Sequence, residues 1–193
     1  AFDPEPLTPD DIAAYREHAV REARITFGLL ESAMGQLTGA ARDDAQALLA
    51  ARDRVLLRIE QFGAETQNGL KTRLHGDYHL GQVLLTKNDF VIIDFEGEPM
   101  RSMDERRAKQ SPLRDVAGML RSFSYARWSA LRRAARGEDF ARLAPLARTW
   151  ETETRDAFLR AYADAAHGAQ LYEQLAPGSG LLGLFELEKA LYE

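Results

Sequence analysis

From Arg73 to Gly97 the sequence reads RLHGDYHLGQVLLTKNDFVIIDFEG, and its polar residues stand where core packing has little use for them. His75 and Asp77 precede an apolar run, Gln82 opens that run, and Asp94 closes the next one. Val83-Leu84-Leu85 and Phe90-Val91-Ile92-Ile93 are β-rich, and Lys87-Asn88-Asp89 between them has turn chemistry, so the spacing predicts a small hairpin. Paired strands lie about 5 Å apart. Gln82 and Asp94 therefore fall at the same end of the ribbon, next to the loop that bears Asp77. Two carboxylates and one amide converging there make a hard-oxygen set suited to Mg²⁺, which takes few protein oxygens and completes its shell with water and substrate phosphates. His75, Asp77 and His79 also alternate, and on a strand they would share a face able to bind zinc. Gly76 and Gly81 favour a loop instead, and zinc would leave Asp94 unexplained.

The offsets also match a phosphoryl-transfer loop. Protein kinases use H-R-D-x-x-x-x-N, in which Asp accepts the substrate hydroxyl proton and Asn holds a metal, and a later D-F-G whose Asp holds the metals bridging the nucleotide phosphates. His75, Asp77 and Gln82 reproduce the first pattern, and Asp94-Phe95 stands where the second would. There are three departures. Gly76 replaces Arg, so position 76 offers no guanidinium to an activation-loop phosphate. Gln82 replaces Asn and is one methylene longer. Glu96 replaces Gly and adds a carboxylate that could take a metal or a substrate hydroxyl.

H-G-D in place of H-R-D is the pattern of the aminoglycoside-phosphotransferase-like small-molecule kinases. Within that group the sequence closely resembles the maltokinases, which make maltose 1-phosphate from maltose and ATP and are sometimes fused to trehalose synthase. The resemblance rests on HGDYHLGQVLL (75–85), IIDFEGEP (92–99), SPLRDVAGMLRSF (111–123) and FELEKALYE (185–193), and it spans roughly residues 70–193. It implies a mainly α (α+β) fold, the C-terminal lobe of a protein-kinase-like structure with a small central β-hairpin. It implies ATP as donor and Mg²⁺ as metal. By the same resemblance Asp77 orients and deprotonates the anomeric hydroxyl, Gln82 and Asp94 bind Mg²⁺, and His75 braces the loop. Asp115 starts a helix beneath the loop and holds its backbone amides, and Glu193 is a sugar ligand. On that last helix Leu181, Phe185, Glu188 and Tyr192 form a stripe. A Glu between two aromatics suits a sugar site, and it equally suits a buried, satisfied acid.

Most of the remaining sequence has helical periodicity. Thr8-Pro9-Asp10-Asp11 is a helix start, with Thr8 as cap, Pro9 at the first position and acids at the positive end of the dipole. Tyr15, Ala19, Ala23, Phe27, Leu30 and Met34 follow at three- and four-residue steps, predicting a helix over 8–35. A second is expected over 41–63, with Leu48, Ala51, Val55, Leu56, Ile59 and Phe62 on one side. Residues 95–112 read as a loop of functional length. Helices are expected from Asp115 to about Arg136, from about Pro145 to His167, and from Ser179 onward. The acids Glu151 and Glu153 and the arginines from Arg132 to Arg142 read as solvated faces. The domain expectation is one kinase C-lobe over 1–193: catalytic loop and hairpin at 75–94, and a helical sugar-binding part at 115–193.

The 193 residues, 45% hydrophobic and 28% charged, describe an ordinary globular chain. Zero cysteines exclude disulfides, thiolate zinc sites and cysteine nucleophiles. A net charge of −5 argues against nucleic acid as partner, and no apolar run reaches the roughly twenty residues of a membrane helix. The expected compartment is the cytoplasm. No Gly-rich phosphate loop and no strand-borne Lys of the kinase type occurs in the chain. The expectation is accordingly a C-lobe alone, partnered by a separate ATP-binding lobe or a fused trehalose synthase and poor at transfer by itself. A phosphotransferase acting on another sugar, amino alcohol or aminoglycoside, and a non-catalytic interaction module, are the alternatives.

Overall fold

The computed structural model describes residues 2–62, 68–97, 102–134, 139–172, 175 and 180–192. In chain order the elements are β1 (Glu5–Pro6), α1 (Pro9–Ala33), α2 (Gly39–Ala50), α3 (Arg52–Gln61), β2 (Leu70–Lys71), β3 (Val83–Thr86), β4 (Asp89–Ile92), α4 (Met103–Arg107), α5 (Leu113–Ala134), α6 (Asp139–Ala165) and α7 (Gly180–Tyr192). The fold is mainly α with two small antiparallel sheets. Among the described residues no helix is long and apolar enough to cross a membrane. The chain divides into two compact units, one of residues 1–6 and 68–175, the other of residues 7–67 and 176–193.

The second unit is a helical packing of α1, α2, α3 and α7. Thr8 caps α1 in a full capping box: its side chain accepts from Asp11 N while the Asp11 carboxylate accepts from Thr8 N at 2.8 Å. The predicted stripe is the buried one, with Ala19, Ala23 and Phe27 all 0% exposed. The two alanines let a neighbouring helix approach closely. α7 packs against α1 and buries Leu181, Leu182, Leu184 and Phe185. The Phe185 ring meets Tyr15 edge-on at 5.2 Å, and Thr26 Oγ1 donates to the Leu191 carbonyl at 2.7 Å, satisfying a C-terminal acceptor of α7.

The single helix expected over 41–63 is instead two. No glycine or proline marks the break; Ala51 adopts φ −89°, ψ −2°, and its N–H is shared among the carbonyls of Ala47, Leu48 and Leu49. Directly after the break, Arg52 reaches Glu31 Oε1 at 3.0 Å and its guanidinium lies 5.9 Å from the Phe27 ring centroid. Ile59 and Phe62 are buried as the stripe predicts, whereas Leu48 is exposed.

The first unit centres on α5 and α6. Leu113, Val116, Ala117, Leu120 and Phe123 form a buried stripe on α5, and Phe123 meets Phe158 of α6 edge-on at 5.7 Å. α6 begins at Asp139, ahead of the expected start, and carries Pro145 inside it. Glu151 belongs to this packing, not to a solvated face: it accepts from Ser124 and pairs with Arg127 Nε at 2.7 Å. β1 pairs with β2, a sheet that the sequence reading lacks because its strands have only two residues each. The expected hairpin is β3–β4, with Val83 opposite Ile92 and Thr86 opposite Asp89, turning at Lys87 with φ 53°. The loop expected over 95–112 contains α4, started by a capping box in which Ser102 accepts from Glu105 N and Glu105 accepts from Ser102 N.

Tyr162 of α6 is 5.8 Å from the ring of Tyr172, and its hydroxyl pKa is pushed up to about 12, first by burial, then by Tyr172 and Asp115. The neutral form is favoured in the folded state, so between pH 10 and 12 folding binds the proton and stability falls as pH rises. Absorbance at 295 nm should show Tyr162 ionising after a free tyrosine does, and Tyr162→Phe should remove that late step.

Two glycines test the packing with opposite signs. A Cβ at Gly118 of α5 would stand 2.7 Å from the Tyr78 carbonyl oxygen, whereas one at Gly28 of α1 would meet nothing within 4 Å. Gly28→Ala should stabilise by about 0.5–1 kcal/mol, the helix-interior difference between the two residues. Gly118→Ala should destabilise by about 1–3 kcal/mol, because backbone must move. Urea unfolding of both variants measures the pair.

Candidate active site

The loop ahead of the hairpin is held by one carboxylate. Asp115, in the first turn of α5, accepts the backbone N–H of His75 on Oδ2 at 2.8 Å and that of Gly76 on Oδ1 at 2.9 Å. α5 begins at Leu113, two residues before Asp115, and Ser111 Oγ accepts from Leu113 N. Asp115 thus does not cap the helix; both its oxygens are aimed at the loop. Lower down, Ser122 Oγ accepts from Leu80 N at 3.2 Å while donating to the Met119 carbonyl at 2.7 Å.

His75 is 7% exposed and both its ring nitrogens are engaged. Nδ1 accepts from Asp77 N at 3.3 Å, so Nε2 carries the hydrogen and donates to the Ile93 carbonyl at 2.8 Å. That tautomer ties the loop to the end of β4 and commits both ring nitrogens. It also removes His75 from any zinc set. Phe95 and Tyr78 flank the ring at 4.8 and 5.5 Å between centroids. The Tyr78 hydroxyl is pushed up in pKa, by burial first and by the Asp115 charge second.

Asp77 leaves this braced loop partly exposed, its Oδ2 3.8 Å from His79 Nε2. His79 Nδ1 accepts from Gly81 N at 3.0 Å, which orients the ring towards Asp77. Residues Leu80–Gln82 form a 3₁₀ turn absent from the sequence reading, so Gln82 sits just before β3, not within it. The ladder nonetheless extends one step, with Ile93 N donating to the Gln82 carbonyl at 3.0 Å. Two residues past β4, Asp94 takes a left-handed backbone with φ 63°. Its side chain thereby turns to Gln82, whose Nε2 donates to Asp94 Oδ2 at 3.1 Å.

The structure therefore brings Gln82 and Asp94 together across twelve residues of chain, with Asp77 on the same braced segment. Among the described residues no three histidine, aspartate or glutamate side chains gather where they could hold a metal. An amide and a carboxylate, both open to solvent, are instead a donor set for an ion that brings phosphate and water with it, and Mg²⁺ fits that description. Glu96 is exposed, and its carbonyl accepts from Arg106 at 3.3 Å. That arginine is absent from the sequence reading; the only signal for it was the Ser102–Glu105 capping box, which starts the helix that carries it. Glu188 belongs to the other unit, where it is 4% exposed, 3.5 Å from His18 Nε2 and packed beside Phe185. Glu193 and the side chain of Tyr192 lie outside the described residues.

No family model matches the chain. It is 30% identical over 120 residues to a glucosamine kinase of Mycolicibacterium smegmatis, a match that covers 62% of this chain and 27% of that one. It is 30% identical over 123 residues to a glucosamine kinase of Streptacidiphilus jiangxiensis, covering 62% and 25%. The chain thus spans about a quarter of the length of these curated relatives. A solved glucosamine kinase in complex with glucosamine, ADP and inorganic phosphate superposes on 98% of this chain with a TM-score of 0.75, at 24% identity and over 43% of its own length. A second crystal form of glucosamine kinase gives the same TM-score. The fold is that of a mainly α, kinase-like C-lobe, as found in a sugar kinase.

The grip of Asp115 is testable by itself. Asp115→Ala strands two amides and should cost about 1–3 kcal/mol in urea unfolding. Asp115→Asn should recover part of that at most, since its amide nitrogen must face one of the two N–H groups. The His75 and Gly76 amide resonances should shift in both variants.

Proposed function

We propose that the protein carrying this chain is an ATP-dependent sugar kinase and that this segment supplies its catalytic loop and metal-binding side chains. The observation that carries the reading is the meeting of Gln82 and Asp94 at 3.1 Å beside the loop bearing Asp77. A core has no need to hold an exposed amide and an exposed acid together by a left-handed residue. The 30% identity to two glucosamine kinases supports the same class.

The chemistry assigned to the residues is as follows. Asp77 accepts the proton of a sugar hydroxyl as its oxygen bonds to the γ-phosphorus; the bond from that phosphorus to the β,γ-bridging oxygen breaks, and ADP leaves. Gln82 and Asp94 would hold Mg²⁺, which would supply positive charge against the nucleotide phosphates. His75 acts only by bracing, since both ring nitrogens are already committed. Asp115 acts from underneath, fixing the direction in which the loop presents Asp77. The rate comes from position and charge, without a covalent intermediate.

Two acceptors follow from two observations. The motifs at 75–85, 92–99, 111–123 and 185–193 favour maltose and phosphorylation at the anomeric hydroxyl, with the exposed Glu96 as the candidate sugar contact on the segment that bears Asp77. The curated relatives favour glucosamine. Full-length protein with ATP and Mg²⁺ should phosphorylate one of them in preference to an aminoglycoside panel, as read by ³¹P NMR of the product. Asp77→Asn should lower kcat by about 10²–10⁴-fold with the melting temperature unchanged. Transfer undiminished in that variant would leave the chain as a docking module.

A further inference from the structure

We propose that Arg106 is a positioning residue for the turn that presents Asp94, an inference that rests on reading Gln82 and Asp94 as the metal pair. The turn is held on one side by His75, through the Ile93 carbonyl and the Phe95 ring. Arg106 holds its other side. Its Nη1 donates to the Glu96 carbonyl at 3.3 Å, and its stem lies along Gly97, where an added Cβ would stand 3.3 Å from Arg106 Cγ. Gly97 has φ 78°, so residue 97 is left-handed and side-chain-free where the stem crosses it.

Arg106 is itself anchored within α4. Its N–H donates to the Ser102 carbonyl at 3.0 Å and its Nη2 lies 3.0 Å from Met103 Sδ. Its Nε is shielded from solvent and has no hydrogen-bond partner among the described residues, which is a net cost to the fold. Arg106 also stands beside Gly76: the two residues line one cavity of about 20 Å³ together with Gly97. Position 76 lacks the arginine of protein kinases, and here a guanidinium reaches the same neighbourhood from α4.

Electrostatics and positioning predict opposite signs. Deleting a positive charge near Asp94 would by itself tighten binding of a cation; loosening the turn weakens it. The test uses this chain with Mn²⁺ alone as probe, read by paramagnetic broadening, together with ¹⁵N order parameters. Arg106→Met should raise the Mn²⁺ Kd by about tenfold. It should also lower the order parameters at 95–97 from about 0.85 towards 0.6, leaving those of α5 unchanged. Arg106→Lys, which keeps the stem and one donor, should fall between, and it carries the test if the methionine variant fails to fold. A Kd that stays the same or falls, or order parameters that do not move, overturns the proposal. If wild type binds Mn²⁺ no better than Asp94→Asn, the metal reading fails instead, and the order parameters alone decide the part played by Arg106.

Discussion

One carboxylate sets the frame for the loop ahead of the hairpin. Asp115 takes two successive backbone amides, and because it sits in the first turn of a long helix, the loop inherits the rigidity of α5. Charge-assisted bonds of this kind are stronger than neutral ones and fix direction as well as distance. With each oxygen holding one amide of the loop, Asp115 acts as a clamp. The closeness of Gly118 to Tyr78 and the hydroxyl of Ser122 under Leu80 extend the same contact along one face of the helix. The loop is in effect printed onto α5.

From that frame the order passes outward through His75. A neutral imidazole with one nitrogen accepting and the other donating joins the start of the loop to the end of β4. The hairpin carries the same alignment, since its register places Gln82 and Asp94 at its open end. The hairpin is short and its apolar residues are exposed, Leu85 and Phe90 among them, so its own packing contributes little. It is braced at its root.

Of the candidate site, the meeting of Gln82 and Asp94 was legible in the sequence. Two β-rich runs around a turn place residues 82 and 94 at one end of a ribbon, and the hairpin register agrees. The long helices α1, α5 and α7 were legible from their apolar spacing and the Thr8 start. What escaped reading lacked a local signature. The break at Ala51 has no breaker residue to announce it. The early start of α6 runs through a proline that usually marks a beginning. The strands β1 and β2 are too short for any period to show. The Ser102–Glu105 capping box is a local signature of α4, set among charges that also suit a loop. Glu188 was ambiguous by nature, since a stripe of apolar residues with one acid describes a packed helix as well as a sugar site.

The backbone of Asp94 carries a consequence for descent. Asparagine is among the few residues besides glycine that occupy the left-handed region without large strain. Exchange of one side-chain oxygen for an amide nitrogen would therefore silence the acid and leave the main chain as it is. If the protein transfers phosphate as proposed, a lineage that gave it up by that route would keep its main chain, and only the chemistry of a single atom would distinguish the retired protein from the working one.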